Sequence, residues 1–181
     1  MNPLPSAVFL DRDGTIIKDF TYISSPDQVE LIDGAAAAIA RINAALVPVV
    51  VVTNQSGIGR GYFTVGDYER VKARVDELLS ERGARIDATY YCPHTPDDEC
   101  QCRKPNTLLF ERATSDLGID AGNALLIGDR LRDAEPAIPL GARGVLVPTD
   151  VTPAEEIARA KEFARVADSL STALDWYLCA N

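Results

Sequence analysis

Five short apolar runs punctuate the chain, at residues 7–10, 47–53, 88–91, 124–127 and 144–147, and none alternates apolar with polar side chains. A strand with one solvated face must alternate, so these runs fit strands covered on both faces, as in a parallel sheet. Parallel neighbours need long crossovers, and the intervening segments are built to supply them as helices. Residues 34–45 are alanine-rich. Residues 65–82 place Tyr68, Val71, Val75, Leu78 and Leu79 at helical spacing, and residues 108–117 stop at Gly118, a good C-cap. After Thr152-Pro153 the pattern predicts a helix over residues 154–164, an edge strand near Val166 and a closing helix to Leu178. The fold class is therefore α/β, a doubly wound parallel sheet with right-handed crossovers.

A chain of 181 residues fits a single domain over residues 1–181, without repeats or a linker. Its formal charge of −9 argues against nucleic acid or an anionic membrane as partner, since both need a net basic face. A small anion can still be held where basic residues converge. The start "MNPLPSAVFLDRDG" lacks the basic, apolar pattern of a signal peptide, and "AALVPVVVV" is too short to span a bilayer. The expected location is cytoplasmic and the expected state a monomer.

In doubly wound sheets ligands sit at the carboxyl ends of the strands, and the chemistry-bearing residues follow the apolar runs. In "VFLDRDGTI", Asp11 and Asp13 are two apart and project to the same side of an extended chain. Two carboxylates this close repel unless a cation lies between them, and Mg²⁺ suits carboxylate oxygen. The bland alternative is an acidic turn. In "VVVVTNQSG", Thr53 ends the second run and Asn54, Gln55 and Ser56 offer polar groups, equally readable as a helix cap. Arg103 and Lys104 are two fixed cations ahead of a helix, or a solvated pair. In "LLIGDRLRD", Asp129 follows a strand with Asp133 four residues on; Asp129 can supply a metal ligand or simply mark a strand-to-helix turn.

The one histidine and three of the four cysteines fall within eleven positions, as Cys92-x-His94 and Cys100-x-Cys102. In a reducing compartment such a cluster more often binds metal than forms a disulfide. A Cys₃His set matches tetrahedral Zn²⁺ and leaves no open coordination position, so the metal-binding loop at residues 92–102 is expected to be structural. Through Cys102, that zinc would hold the backbone of Arg103 and Lys104. Cys179 stands apart as an isolated thiol.

Taken in order, DxDGT, a strand-end Thr, a Lys and GDxxxD resemble the haloacid dehalogenase (HAD) superfamily of phosphoryl-transfer enzymes, over essentially the whole chain. With "FLDRDGT", "TNQSGIGRG", "CRKP" and the Cys/His loop, the chain is similar to the heptose bisphosphate phosphatases of that superfamily. That branch is itself similar to the phosphatase part of the bifunctional histidinol-phosphate phosphatase. The resemblance implies a Mg²⁺-dependent phosphoric monoester hydrolase without a large cap domain, acting on a small phosphorylated sugar. Asp11 would be the nucleophile and Asp13 the general acid and base. Mg²⁺ would be held by Asp11, the Asp13 carbonyl and Asp129. Thr53, Arg103 and Lys104 would take the phosphoryl charge. Asp19, Phe20, Thr21, Tyr22, Asn54, Gln55, Ser56 and Arg130 would contact substrate, and a second phosphate would give Arg103, Arg130 and Arg60 an anion to bind. Arg130 stands where many heptose enzymes have Lys, and the five-residue gap between His94 and Cys100 is short, as in the histidinol-phosphate branch. Histidinol phosphate is therefore the alternative substrate, and a zinc-stapled scaffold that binds phosphometabolites without turnover is the non-enzymatic alternative.

Overall fold

A computed structural model describes residues 4–178; Cys179 lies outside them. The chain runs β1 (Val8–Leu10), α1 (Ala35–Ala44), β2 (Val49–Asn54), α2 (Ser56–Gly59), α3 (Val65–Ser80) and β3 (Ala88–Cys92). It continues through α4 (Leu108–Leu117), β4 (Leu125–Gly128), α5 (Leu131–Ala134), α6 (Ala137–Leu140), β5 (Arg143–Leu146), α7 (Ala154–Ala160), β6 (Arg165–Val166) and α8 (Leu170–Leu178). All six strands pair in parallel, in the order β3-β2-β1-β4-β5-β6. This is the doubly wound sheet that the unbroken apolar runs predict.

Period-two side-chain direction explains why the runs do not alternate in polarity. Val8, Leu10, Val49, Val51, Leu125 and Ile127 point into one core, closed by side chains of α1, α3 and α8. Phe9, Val50, Val52 and Leu126 point to the other face, where Leu109, Phe110 and Ala113 of α4 cover them. Phe9 and Phe110 meet edge to face, their ring centres 5.4 Å apart. Both sides of each central strand are thus dry, and a polar residue on either would be buried without a partner.

Helix ends follow local chemistry. Thr64 starts α3 by accepting the Asp67 N–H, while Asp67 accepts from the Thr64 N–H in return, and Gly118 ends α4 with φ of 64°. The helix expected over residues 154–164 closes earlier, at Ala160. There the chain tightens into i→i+3 turns that tuck Phe163 against Leu131, Leu146 and Ala160 before β6 begins. Among the described residues no helix is long and apolar enough to cross a membrane.

Candidate active site

Strand order decides where the chemistry collects. The chain leaves β1 for β2 and β3 on one side and for β4, β5 and β6 on the other, so the sheet's switch point lies between β1 and β4. Leu10 pairs with Ile127, and the next residue's N–H, that of Asp11, still donates to the Ile127 carbonyl at 3.0 Å. Asp11 therefore emerges beside Asp129, which follows β4. Gly14 turns the chain away with φ of +83°, and a Cβ there would lie 2.5 Å from Asp129 Oδ2. Thr152 secures Asp129 from beyond β5, its hydroxyl donating to the Asp129 carbonyl at 2.8 Å.

Asp133, at the third position of α5, joins the pair. Carboxylate oxygens of Asp11, Asp129 and Asp133 lie within 4.8 Å of one another, and all three residues are buried. Among the described residues Lys104 is the cation ion-paired with them, at 2.9 Å from Asp11 Oδ1 and 2.8 Å from Asp133 Oδ1, while the Arg132 charge acts on Asp129 and Asp133 from further off. The Lys104 ammonium also donates to the Val52 carbonyl at 2.6 Å. Burial alone would lower the Lys104 pKa, but the Asp11 and Asp133 charges outweigh it and raise it, so the ammonium stays charged. Burial, reinforced by Asp11 and Asp133, pushes the Asp129 carboxyl up to about 8. Asp129 Oδ1 is buried with no hydrogen-bond partner. Three carboxylates, one ammonium and one unsatisfied oxygen fit a divalent cation that prefers oxygen ligands.

Asp13 is placed differently from Asp11. Because β1 ends at Leu10, strand alternation does not extend through the aspartates, and the Asp13 carboxylate turns toward Arg12 and Gln55. Arg12 Nη2 lies 3.0 Å from Asp13 Oδ2 and 3.1 Å from Gln55 Oε1. Gln55 Nε2 donates to Asp13 Oδ2 at 2.8 Å and to the Thr53 hydroxyl at 2.9 Å. Burial raises the Asp13 pKa against the lowering pull of Arg12. The same residue is thus biased toward the protonated form that a general acid needs. Thr53 is buried at the end of β2. Asn54 brackets the Lys104 backbone, accepting its N–H at 3.0 Å and donating to its carbonyl at 3.2 Å.

Above these groups lies a cavity of about 350 Å³ whose wall includes Asp11, Asp13, Asp19, Thr21, Tyr22 and Asn54. Gln55, Ser56 and five arginines (Arg12, Arg60, Arg103, Arg130 and Arg132) complete most of the rest. Phe20 is exposed and is not part of this wall, and neither Thr53 nor Lys104 lines it; both lie beneath. Tyr22 leans edge to face on Tyr62, with ring centres 4.7 Å apart, at the cavity mouth.

The cysteine loop packs beside this site. Cys92 Sγ lies 3.5 Å from Cys100 and 3.1 Å from Cys102, Cys102 is 3.5 Å from Cys100, and His94 Nδ1 is 3.2 Å from Cys102. No pair is bonded as a disulfide. A tetrahedral ion with bonds near 2.3 Å separates its sulfur ligands by roughly 3.8 Å, so the four donors can close on one metal with small adjustments. Arg103, directly after Cys102, returns a hydrogen bond to the His94 carbonyl at 3.3 Å.

Comparison with known proteins agrees with this geometry. A HAD-hydrolase-like family model matches residues 101–173. A probable D-glycero-D-manno-heptose-1,7-bisphosphate 7-phosphatase of Thermoplasma acidophilum is 41% identical over 71% of this chain and 81% of that protein. The chain belongs to the heptose bisphosphate phosphatase family. The D-glycero-beta-D-manno-heptose-1,7-bisphosphate 7-phosphatase of Escherichia coli O6:H1 is 40% identical over 84% of this chain and 85% of its own length. A crystal structure of the D,D-heptose 1,7-bisphosphate phosphatase from B. bronchiseptica, complexed with magnesium and phosphate, superposes with a TM-score of 0.86 at 31% identity. It covers 95% of this chain and 98% of that one. As a member of this family the protein is a HAD-type phosphatase, a phosphoric monoester hydrolase.

Sequence reasoning left Arg12 and Arg132 unassigned and Asp133 without a role. Asp133 carried a signal, its four-residue spacing from Asp129. Arg12 carried a misleading one, since extended alternation would send it away from both aspartates. One consequence concerns Gly14. Ala at this position of the phosphatase would combine a positive φ with a collision against Asp129, and we expect activity to fall at least about 10²-fold, the cost of a catalytic group misplaced by an ångström. Steady-state phosphate release alongside a thermal melt measures it; a fully active Gly14→Ala enzyme would mean Asp129 is free to shift.

Proposed function

We propose that the enzyme removes the 7-phosphate of D-glycero-D-manno-heptose 1,7-bisphosphate through an aspartyl phosphate on Asp11, with Mg²⁺ at the carboxylates and Zn²⁺ in the cysteine loop. The observation that carries the substrate is 40% identity, across most of both chains, to a relative of that name. The chemistry rests on Asp11, which lines the cavity and sits beside a buried ammonium.

Asp11 attacks phosphorus in line with the departing sugar oxygen, and the ester bond breaks as the aspartyl phosphate forms. Asp13, with its raised pKa, protonates the departing alkoxide. Its carboxylate then takes a proton from the water that attacks the acyl phosphate and releases inorganic phosphate. Lys104 offsets the negative charge around Asp11, and Arg12 and Gln55 hold Asp13 while it waits. Mg²⁺, held by Asp11, Asp129 and the Asp13 carbonyl, would supply the charge that lets a carboxylate approach an anionic phosphate. Asp133 stands in the same carboxylate group, but its ion pair with Lys104 suits it to orienting that lysine. Zn²⁺ on Cys92, His94, Cys100 and Cys102 would hold Arg103 and Lys104 at the site's edge. Of the residues expected to contact substrate, Asp19, Thr21, Tyr22 and Ser56 line the cavity and keep that role in this proposal. Asn54 and Gln55 serve mainly to position Lys104 and Asp13. The free thiols suit a reducing, cytoplasmic setting.

Histidinol phosphate is the second reading, favoured by the short spacing from His94 to Cys100. Phosphate release from the α and β heptose bisphosphates and from histidinol phosphate, measured side by side, separates them. The expected result is a higher kcat/KM on a heptose bisphosphate; a higher value on histidinol phosphate would reassign the substrate.

A further inference from the structure

Past Asp13 the chain leaves the catalytic cavity. Gly14 and Thr15 border a second one, of about 340 Å³, which shares no wall residue with the first. Its remaining walls are the starts of α1 and α8 and the segment after β5 that carries Val147 and Thr149. Sites for small molecules occupy roughly 300–1,000 Å³, so the space is large enough to hold one.

Thr15 gives the first sign of an occupant. It is only 5% exposed, and among the described residues its hydroxyl has no hydrogen-bond partner. A buried hydroxyl left without a partner costs stability until a ligand or water supplies one. Across the cavity, α1 opens on Gly34 with no side-chain cap. The Ala35 N–H donates to the Ile32 carbonyl at 3.0 Å, while the next N–H groups of that first turn have no acceptor within the helix. A Cβ on Gly34 would meet nothing within 4 Å, so the backbone there faces open space. At the start of α8 the Ser171 hydroxyl accepts from Arg41 Nη1 at 2.9 Å and keeps its own proton to donate.

The charges on the wall select the chemistry. Among the described residues that line it, Asp33 and Asp168 are the charged ones, and no lysine or arginine faces them there. A phosphate would meet two like charges. A cation would suit the carboxylates but offer no acceptor to the α1 N–H groups. A hydroxyl both donates to a carboxylate and accepts from an N–H. Ile32, Val147 and Leu170 supply apolar surface on which the C–H face of a ring can lie. We infer that this second cavity binds a small neutral polyhydroxylated molecule, a sugar or polyol, with Thr15 as its buried anchor. The site is distinct from the catalytic one and does not depend on which phosphate ester the enzyme cleaves.

Titration followed through ¹³C-labelled methyl groups of Ile32, Val147 and Leu170 tests the site, with the catalytic cavity first filled by Mg²⁺ and inorganic phosphate. The neutral probes are D-mannose, D-glucose and glycerol; sulfate and tetramethylammonium are the charged ones. At least one neutral probe should shift these methyls saturably with a Kd of about 1–10 mM, and neither charged probe should. Thr15→Val removes the hydroxyl at nearly constant shape, so it should weaken that Kd about tenfold and melt no lower than the parent. Asp168→Ala, at the exposed rim, should weaken it at least about threefold. No saturable shift with any neutral probe up to about 100 mM would overturn the inference. So would tighter binding of sulfate or tetramethylammonium at the same methyls, or a Kd unchanged in either variant. A Thr15→Val protein that melts well below the parent would show that the hydroxyl already has a partner inside the fold, and would overturn it too.

Discussion

Asp11→Asn is expected to yield a folded, zinc-loaded protein whose turnover is lower by about 10⁴-fold or more, the scale seen when an enzymatic nucleophile is removed. The amide cannot form the acyl phosphate. Lys104, Asp129 and Asp133 stay in place, so little else about phosphate binding should change. Stability points the other way. In the absence of a divalent cation the native site holds three buried carboxylates against one ammonium, and neutralising one of them relieves repulsion. The variant should therefore melt no lower than its parent in chelator. A burst of phosphate release, a covalent adduct with beryllium fluoride on Asp11, and the melting temperature together give the check. An adduct on any other side chain, or activity within about tenfold of the parent, would place the nucleophile elsewhere.

The second large effect lies at the cysteine loop. Residues 93–101 contribute almost nothing to the apolar cores; only Cys92, Cys100 and Cys102 touch one. Pro96, Asp97 and Asp98 form a single exposed turn. Such a segment cannot offset its conformational entropy by burial, whereas structural Zn²⁺ sites in small peptides contribute on the order of 10 kcal/mol. Cys102→Ala should lose the metal, disorder the loop, and cut kcat/KM about 10²-fold as Arg103 and Lys104 drift. The loss should stop short of total, because Asn54 still brackets the Lys104 backbone from β2. Metal content by atomic emission, backbone amide exchange over residues 92–104 and kinetics decide it. A zinc-free Cys102→Ala enzyme with parental kcat/KM would separate the loop from catalysis.

Residue patterns alone carried most of the frame. Unbroken apolar runs demanded strands covered on both faces, so the parallel sheet and the helices α1, α3 and α4 were legible with boundaries off by a residue or two. The four-residue helices α2, α5 and α6 are too short to show a period and were not expected. The expected helix over residues 154–164, α7, stops at Ala160 because Phe163 must turn inward to pack on Leu146, a long-range demand that helical propensity cannot foresee. Asp11, Asp129 and the Cys/His quartet were equally readable, since each follows a strand or shows metal-ligand spacing.

Only the tertiary structure decided how those groups divide their labour. Strand order put β4 beside β1, which brought residues more than a hundred positions apart into one carboxylate cluster. The end of β1 at Leu10 broke the alternation, turning Arg12 onto Asp13 and separating the two aspartates into different environments. The docking of α7 against α5 gave Arg130 both oxygens of a carboxylate and left the buried Arg132 Nε without a hydrogen-bond partner. Local sequence sets which groups are available, because backbone periodicity acts over a few residues. Partnership of charges is set by packing, because a buried ion is governed by whichever opposite charge the fold brings within a few ångströms.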